Sequence, residues 1–147
     1  MADDSQAIVV ERLPEFPNVP LPARATPGSA GFDLYAAAAA ELPRGAVVRV
    51  RTGLKMRAPP GSFLEIRPRS GLSVRGVLMV NAPGTVDRDY SGEVQVPLTY
   101  LFEGRYEIRA GDRIAQIRRV ADLPTEFVLG AVVPSPGRSG GFGSTGR

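Results

Sequence analysis

An all-β sandwich or jelly roll with one extended terminal arm is the fold class that this sequence predicts, on two observations. Seventeen glycines and fourteen prolines punctuate 147 residues, cutting the apolar positions into short runs that suit strands joined by turns. Within the runs side chains alternate by face, as in Val47-Val48-Arg49-Val50-Arg51, the two-residue period of a half-buried strand. In chain order, strands are expected over 8–12, before Pro14, and over 31–36, after Gly28 and Ser29. Strands over 46–51 and 54–57 flank Gly53, and one over 62–68 begins after Pro59-Pro60-Gly61. Those over 77–80, 84–87 and 93–101 are separated by Pro83 and Gly92, and those over 106–108, 114–120 and 127–129 by Gly111 and Pro124. A helical turn is expected over 70–75. The five alanines at 36–40 favour helix by propensity but stand between strand-like neighbours, leaving a helical turn over 36–41 or a tightly packed strand and turn. From Gly130 onward, Pro134, Pro136 and Gly137 carry the chain away as a linker. One domain over 1–130 and an arm over 131–147 are expected.

Composition narrows the chemistry. A hydrophobic content of 43% in 147 residues supports one ordinary core. With no Cys and no His, disulfides, thiolate nucleophiles, Cys-ligated zinc and the commonest general base are excluded. Any catalysis must use carboxylates, Arg, Lys, Tyr and hydroxyls. The net charge of +3 comes from 18 basic and 15 acidic residues that are interspersed, which suits an anionic small ligand at least as well as a nucleic acid. No apolar run is long enough to cross a membrane, and the start Met1-Ala2-Asp3-Asp4 lacks the basic region of a signal peptide. A cytoplasmic location is the default expectation.

Five segments carry chemistry. The end of the chain, Arg138-Ser139-Gly140-Gly141-Phe142-Gly143-Ser144-Thr145-Gly146-Arg147, has a phosphate-gripping composition: glycines admit close backbone N–H approach, and Arg138, Ser144 and Thr145 add donors. Gly/Ser-rich ends also serve as plain spacers, but the lone Phe142 suits stacking on a base or sugar. In Ser29-Ala30-Gly31-Phe32-Asp33-Leu34-Tyr35 an acidic residue interrupts an apolar strand, as a structural turn or ladder residue or as one that faces a site. Pro68-Arg69-Ser70-Gly71-Leu72-Ser73 ends a strand with an Arg, a hydroxyl and a turn, which fits a small anion site and equally fits an ordinary cap.

The most telling interior stretch is Asn81-Ala82-Pro83-Gly84-Thr85-Val86-Asp87-Arg88-Asp89-Tyr90-Ser91-Gly92-Glu93-Val94. Its polar centre can simply close a hairpin. Asp87, however, is expected on the strand before the turn, where a held carboxylate can act as general base in a chain without His. In Gly111-Asp112-Arg113-Ile114-Ala115-Gln116-Ile117, a turn runs into a strand and Gln116 stands as a neutral amide able to donate to a phosphate oxygen.

Taken in order, these segments resemble the five motifs of the deoxyuridine triphosphatase (dUTPase) family, and the resemblance spans residues 30–146. It implies a jelly-roll subunit in a homotrimer with three shared interface sites, and Mg²⁺-dependent hydrolysis of dUTP to dUMP and pyrophosphate. That reaction limits uracil in DNA and supplies dUMP for thymidylate synthesis. By resemblance, Asp87 orients and deprotonates the attacking water, and Tyr90 packs under the deoxyribose. Asn81, the backbone at Gly84, Thr85 and Val86, and Gln95 lie where the family reads the uracil edge. Arg69, Ser70 and Gly71 match phosphate donors, Gln116 the amide near the α-phosphate, and Asp33 the residue that holds magnesium through water. Arg138, Phe142, Gly143, Ser144 and Thr145 match the arm that closes over a neighbouring subunit's site. No nucleic-acid or membrane partner is expected. Phe32 and Ser91 depart from residues the family often has, without removing a group that the chemistry needs. Two other readings share the fold: a dCTP deaminase, whose phosphate segment typically carries Ser-Ser and a following Arg, and a non-catalytic nucleotide-binding regulator, which would lack Asp87 or the arm.

Overall fold

Alternating apolar side chains need two facing layers to bury them, and the chain forms these by antiparallel pairing of strands distant in sequence. The computed structural model describes residues 6–137, 140, 141 and 146. Its strands are β1 (Val9–Arg12), β2 (Phe32–Tyr35), β3 (Ala40–Pro43), β4 (Val48–Arg51), β5 (Leu54–Arg57), β6 (Ser62–Arg67), β7 (Val77–Met79), β8 (Gly84–Val86), β9 (Gln95–Tyr100), β10 (Arg105–Ile108) and β11 (Arg113–Ala121). A single helical turn, α1 (Ser70–Ser73), lies between β6 and β7.

One sheet has the order β2-β11-β6-β8 and a second the order β4-β9-β7, with two-stranded ribbons β1-β5 and β10-β3 beside them. Inward positions of both sheets meet in one core, where Leu34, Leu42, Leu64, Val96, Leu98 and Ile114 are almost wholly buried. Each such side chain contributes about 1.5–3 kcal/mol by leaving water. The all-β expectation is thus met, and the expected turn over 70–75 contains α1.

One open alternative is decided and one local expectation is corrected. The alanine run takes the strand-and-turn form and not the helical turn: Ala36 N–H donates to the Asp112 carbonyl at 2.8 Å and Ala37 N–H to the Arg51 carbonyl at 2.8 Å. Ala40 then opens β3, paired in register with β10. Small side chains let neighbouring backbone approach closely here, so tertiary hydrogen bonds outweigh helix propensity. The expected strand over 127–129 is also absent. After β11 ends at Ala121, residues 122–137 carry no strand, and Phe127 and Leu129 are fully exposed. Apolar character alone makes no strand without an edge to pair with.

Strand β11 is the element that organises the outer surface of the larger sheet. Its Gln116 lies opposite Asp33 of β2 on one side and opposite Arg67 of β6 on the other. Residues from two of the chemically loaded segments, and the residue just before a third, are thereby brought to one place by register.

Candidate active site

Two clefts gather most of the residues singled out by the sequence. The first, of about 270 Å³, is lined by Asn81, Gly84, Thr85, Val86, Asp87, Tyr90 and Gln95, together with Arg49, Ile66, Glu93, Val94 and Pro97. Strand β8 forms one wall because Gly84 pairs with Ile66 and Thr85 with Glu65 of β6. Gly84 is buried against this neighbour, and a Cβ there would meet Asn81 Nδ2 at 3.2 Å. The Tyr90 N–H donates to the Asp87 carbonyl at 3.1 Å, closing the turn between the walls. Asp87 lies one residue beyond β8 rather than on the strand as expected, and its carboxylate is exposed. It also borders an adjoining polar hollow with Arg88, Asp89 and Asp122.

Tyr90 is folded back on its own hairpin. Its hydroxyl donates to the Glu93 carbonyl at 2.9 Å, and the ring covers Gly92, where a Cβ would come within 2.5 Å of the phenolic oxygen. Glycine at 92 is therefore the condition for this ring position. The ring, 45% exposed, presents an apolar face at the mouth of the cleft.

The second cleft, of about 320 Å³, is lined by Arg69, Gly71, Leu72, Arg75, Tyr106, Ile108, Asp112 and Arg113. Its three guanidinium groups face a single lining carboxylate, an arrangement suited to a multiply charged anion. Arg69 immediately precedes α1 in extended conformation, and its Nη1 donates to the Arg113 carbonyl at 3.2 Å. Ser70 and Gly71 open α1 on the surface. Buried Asp33 orients the cations: its Oδ1 lies 3.2 Å from Arg69 Nε and its Oδ2 3.6 Å from Arg113 Nη1. Gln116 donates from Nε2 to the Pro68 carbonyl at 2.9 Å, fixing the backbone just before Arg69. Its amide rests on Gly31, where a Cβ would meet Oε1 at 2.5 Å.

Sequence reasoning passed over Arg75, Arg113, Arg49 and Glu93. Arg113 stood within a quoted segment and Arg75 at the end of the expected helical turn, both as basic residues near turns; nothing local marked Glu93 as buried. Arg138, Phe142, Gly143, Ser144 and Thr145 lie outside the described residues. Among the described residues no three acidic or other ligating side chains converge to cage a metal. Asp33, with both oxygens beside guanidinium groups, is a single carboxylate and suits contact through water with a hard divalent cation that takes its other oxygens from phosphate and water, the usual binding mode of Mg²⁺.

The two clefts have no lining residue in common. One has the dimensions and mixed polarity for a base and sugar, the other the charge for phosphates. The sequence model of the dUTPase family matches residues 17–146. The chain belongs to the dUTPase family. It is 47% identical over 133 residues to the deoxyuridine 5'-triphosphate nucleotidohydrolase of Anaeromyxobacter sp. (strain Fw109-5), covering 89% of this chain and 90% of the relative. To the enzyme of the same name from Anaplasma marginale (strain St. Maries) it is 43% identical over 144 residues, covering 95% and 97%. Among solved structures, a dUTPase from Streptococcus mutans superposes with a TM-score of 0.75 at 28% identity, covering 80% of this chain and 98% of that one. A Staphylococcus bacteriophage 80alpha dUTPase with dUpNHpp has a TM-score of 0.80 at 24% identity, covering 95% and 98%; at that identity the likeness is one of fold. Both the family and the jelly-roll fold expected from the five segments are thus borne out, and no helix among the described residues is long and apolar enough to cross a membrane.

Proposed function

We propose that this dUTPase-family chain hydrolyses dUTP to dUMP and pyrophosphate, with Asp87 as general base. The observation that carries the reading is the meeting of Asp87, Tyr90, Asn81 and Gln95 in one cleft whose size suits a nucleoside. Base and sugar sit between β8 and β9, with the hairpin backbone at Gly84, Thr85 and Val86 and the Asn81 amide at the base edge. The Tyr90 face lies under the deoxyribose, where a 2′-hydroxyl would crowd the ring. Arg69, Ser70 and Gly71 take phosphate oxygens, joined by Arg75 and Arg113. Asp87 accepts the proton as the water oxygen bonds to the α-phosphorus and the bond to the bridging oxygen breaks, releasing pyrophosphate. Asp33 would hold a magnesium ion through water, and that ion would supply charge neutralisation at the phosphates.

A homotrimer completes this site. The separation of the two clefts within one chain supports a site made from more than one subunit. Residues 123–137 support it too, because they carry no strand and leave Phe127, Leu129, Val132 and Val133 exposed, apolar surface of the kind that a partner covers. We place the domain over 1–130 and an arm over 131–147, with Arg138, Phe142, Gly143, Ser144 and Thr145 closing over a neighbour's bound nucleotide. The location is cytoplasmic, and neither nucleic acid nor membrane is a partner.

Incubation with Mg²⁺ and dUTP, dCTP, dTTP or UTP in separate reactions tests the reaction. Pyrophosphate and dUMP from dUTP alone, lost on EDTA treatment, is the expected result; ammonia from dCTP or absence of product overturns the reading. A further expected outcome concerns the sugar wall. Gly92→Ala forces the Tyr90 ring away and breaks its hydrogen bond, raising the dUTP KM about 3–10-fold, the range of one ordinary hydrogen bond. The dUTP preference over UTP falls with it, and steady-state kinetics on both nucleotides checks the two effects together.

A further inference from the structure

Glu93 has an unusual place for a charged side chain. Only 10% of it is exposed, and it borders the nucleoside cleft. Burial of a carboxylate is costly unless donors surround it, and here they do. Oε1 accepts from Arg51 Nε at 3.1 Å and from the Gly53 N–H at 2.9 Å. Oε2 accepts from Arg51 Nε at 3.0 Å and from Gln95 Nε2 at 3.1 Å. The main-chain carbonyl of the same residue holds the Tyr90 hydroxyl at 2.9 Å. Fixing the carboxylate therefore fixes the acceptor on which the Tyr90 ring hangs.

The donors are themselves restrained. Arg51 Nη2 donates to Glu15 Oε1 at 2.8 Å, and its guanidinium carbon lies 4.7 Å above the Phe16 ring centroid. Glu15 first and Glu93 second hold the Arg51 guanidinium more firmly protonated than usual, while Arg51 draws the Glu15 carboxyl below the ordinary range. Gly53 has a φ of +69°, and a Cβ there would strike Phe16 at 2.9 Å, so glycine lets the turn present its N–H under the aromatic ring. The Leu13 N–H then reaches the Gly53 carbonyl at 2.8 Å. A path of direct contacts thus runs from the segment before β2, through Arg51 and Glu93, to Tyr90 and Gln95.

We propose that Glu93 is a positioning residue for nucleotide selection: clamped by Arg51 and Gly53, it sets the Tyr90 ring and the Gln95 amide at the wall of the cleft. The inference rests on the reading of Tyr90 as the sugar wall. A plain stability role would lower the melting temperature and leave the choice of nucleotide untouched. A positioning role changes KM and the ratio of dUTP to UTP, because a shifted ring admits the 2′-hydroxyl.

The test uses the full chain and the variants Glu93→Ala, Glu93→Gln and Arg51→Lys. Glu93→Ala is expected to raise the dUTP KM about tenfold or more, the range of a hydrogen bond to a charged group, with kcat changed less than about threefold. It is expected to cut the dUTP-over-UTP ratio of kcat/KM by a similar factor. Glu93→Gln keeps one acceptor oxygen and recovers part of the loss. Arg51→Lys keeps the charge but loses the planar Nε donor and reproduces the defect, which decides the matter should Glu93→Ala not fold. Unchanged KM and ratio in the folded variants overturns the proposal. A tyrosine-ring NMR spectrum without nucleotide reads the same contact independently of turnover, since the chain has only four tyrosines and Tyr90→Phe assigns the signal. A Tyr90 signal that moves in Glu93→Ala and Arg51→Lys supports the clamp, and one that stays sinks it. Absence of dUTP cleavage by the unmodified protein would instead count against the functional reading.

Discussion

Asp87→Asn lowers kcat on dUTP by about 10²–10⁴-fold, the ordinary contribution of a positioned general base, while nucleotide affinity stays within about threefold. The substitution keeps the shape of the side chain and removes its ability to take a proton. The turn is closed by backbone atoms, Tyr90 N–H to the Asp87 carbonyl at 3.1 Å, so the variant keeps the hairpin. Asp87 is exposed in the single subunit, which leaves its carboxylate reachable by water; the proposed closure by a neighbour's arm would then confine that water. Single-turnover kinetics with binding of a non-hydrolysable dUTP analogue separates the two quantities. Near-normal turnover would remove Asp87 from its role, and a large loss of binding would make it a ligand contact.

Deleting residues 137–147 is expected to lower kcat/KM for dUTP by about 10²–10⁴-fold and to leave the proposed oligomer intact. The estimate assumes two charge-assisted hydrogen bonds to phosphate, each about 1.5–3 kcal/mol, and the loss of water exclusion over the α-phosphate. Arg138, Ser144 and Thr145 would supply the donors and Phe142 the cover for the base. The retained segment 122–136 keeps the exposed Phe127, Leu129, Val132 and Val133, the apolar positions that a neighbour would bury. Light scattering and steady-state kinetics on the truncated chain check both halves. Full activity would leave the arm without a catalytic role, and dissociation would place oligomer contacts within the last residues.

Legibility in the sequence followed the range of the interaction. The turn at 87–90, the α1 turn after Arg69 and the strands around Gly53 are encoded within a few residues, where Gly, Pro, Asp and Ser act on the local backbone. They were placed correctly to within a few positions. The alanine run stayed open between a helical turn and a strand with a turn, because Ala36 and Ala37 bond to Asp112 and Arg51, partners that no local window contains. The stretch 127–129 failed for the reverse reason, having strand-like side chains and no strand beside it. At the site, Asp33 was visible as an acid in an apolar strand and, by resemblance, as a residue near magnesium. Its pairing with Arg69 and Arg113 depends on β11 lying next to β2. Glu93 read as one more charge in a polar hairpin, and its burial follows from Arg51 on β4, the strand paired with β9, and from Gly53 in the turn after it.

By itself the sequence determined the family, through five motifs in order, the all-β class, through Gly and Pro spacing, and the chemistry open to a chain without His or Cys. Tertiary structure alone decided that the described motif residues separate into a cleft of mixed polarity and a cationic cleft, that Gln116 braces Pro68, and that Glu93 is enclosed. The physical reason is register. Turn chemistry acts through neighbouring residues, whereas the face and partner of a side chain in a sheet depend on which distant strand lies alongside, and a shift of one residue reverses every face.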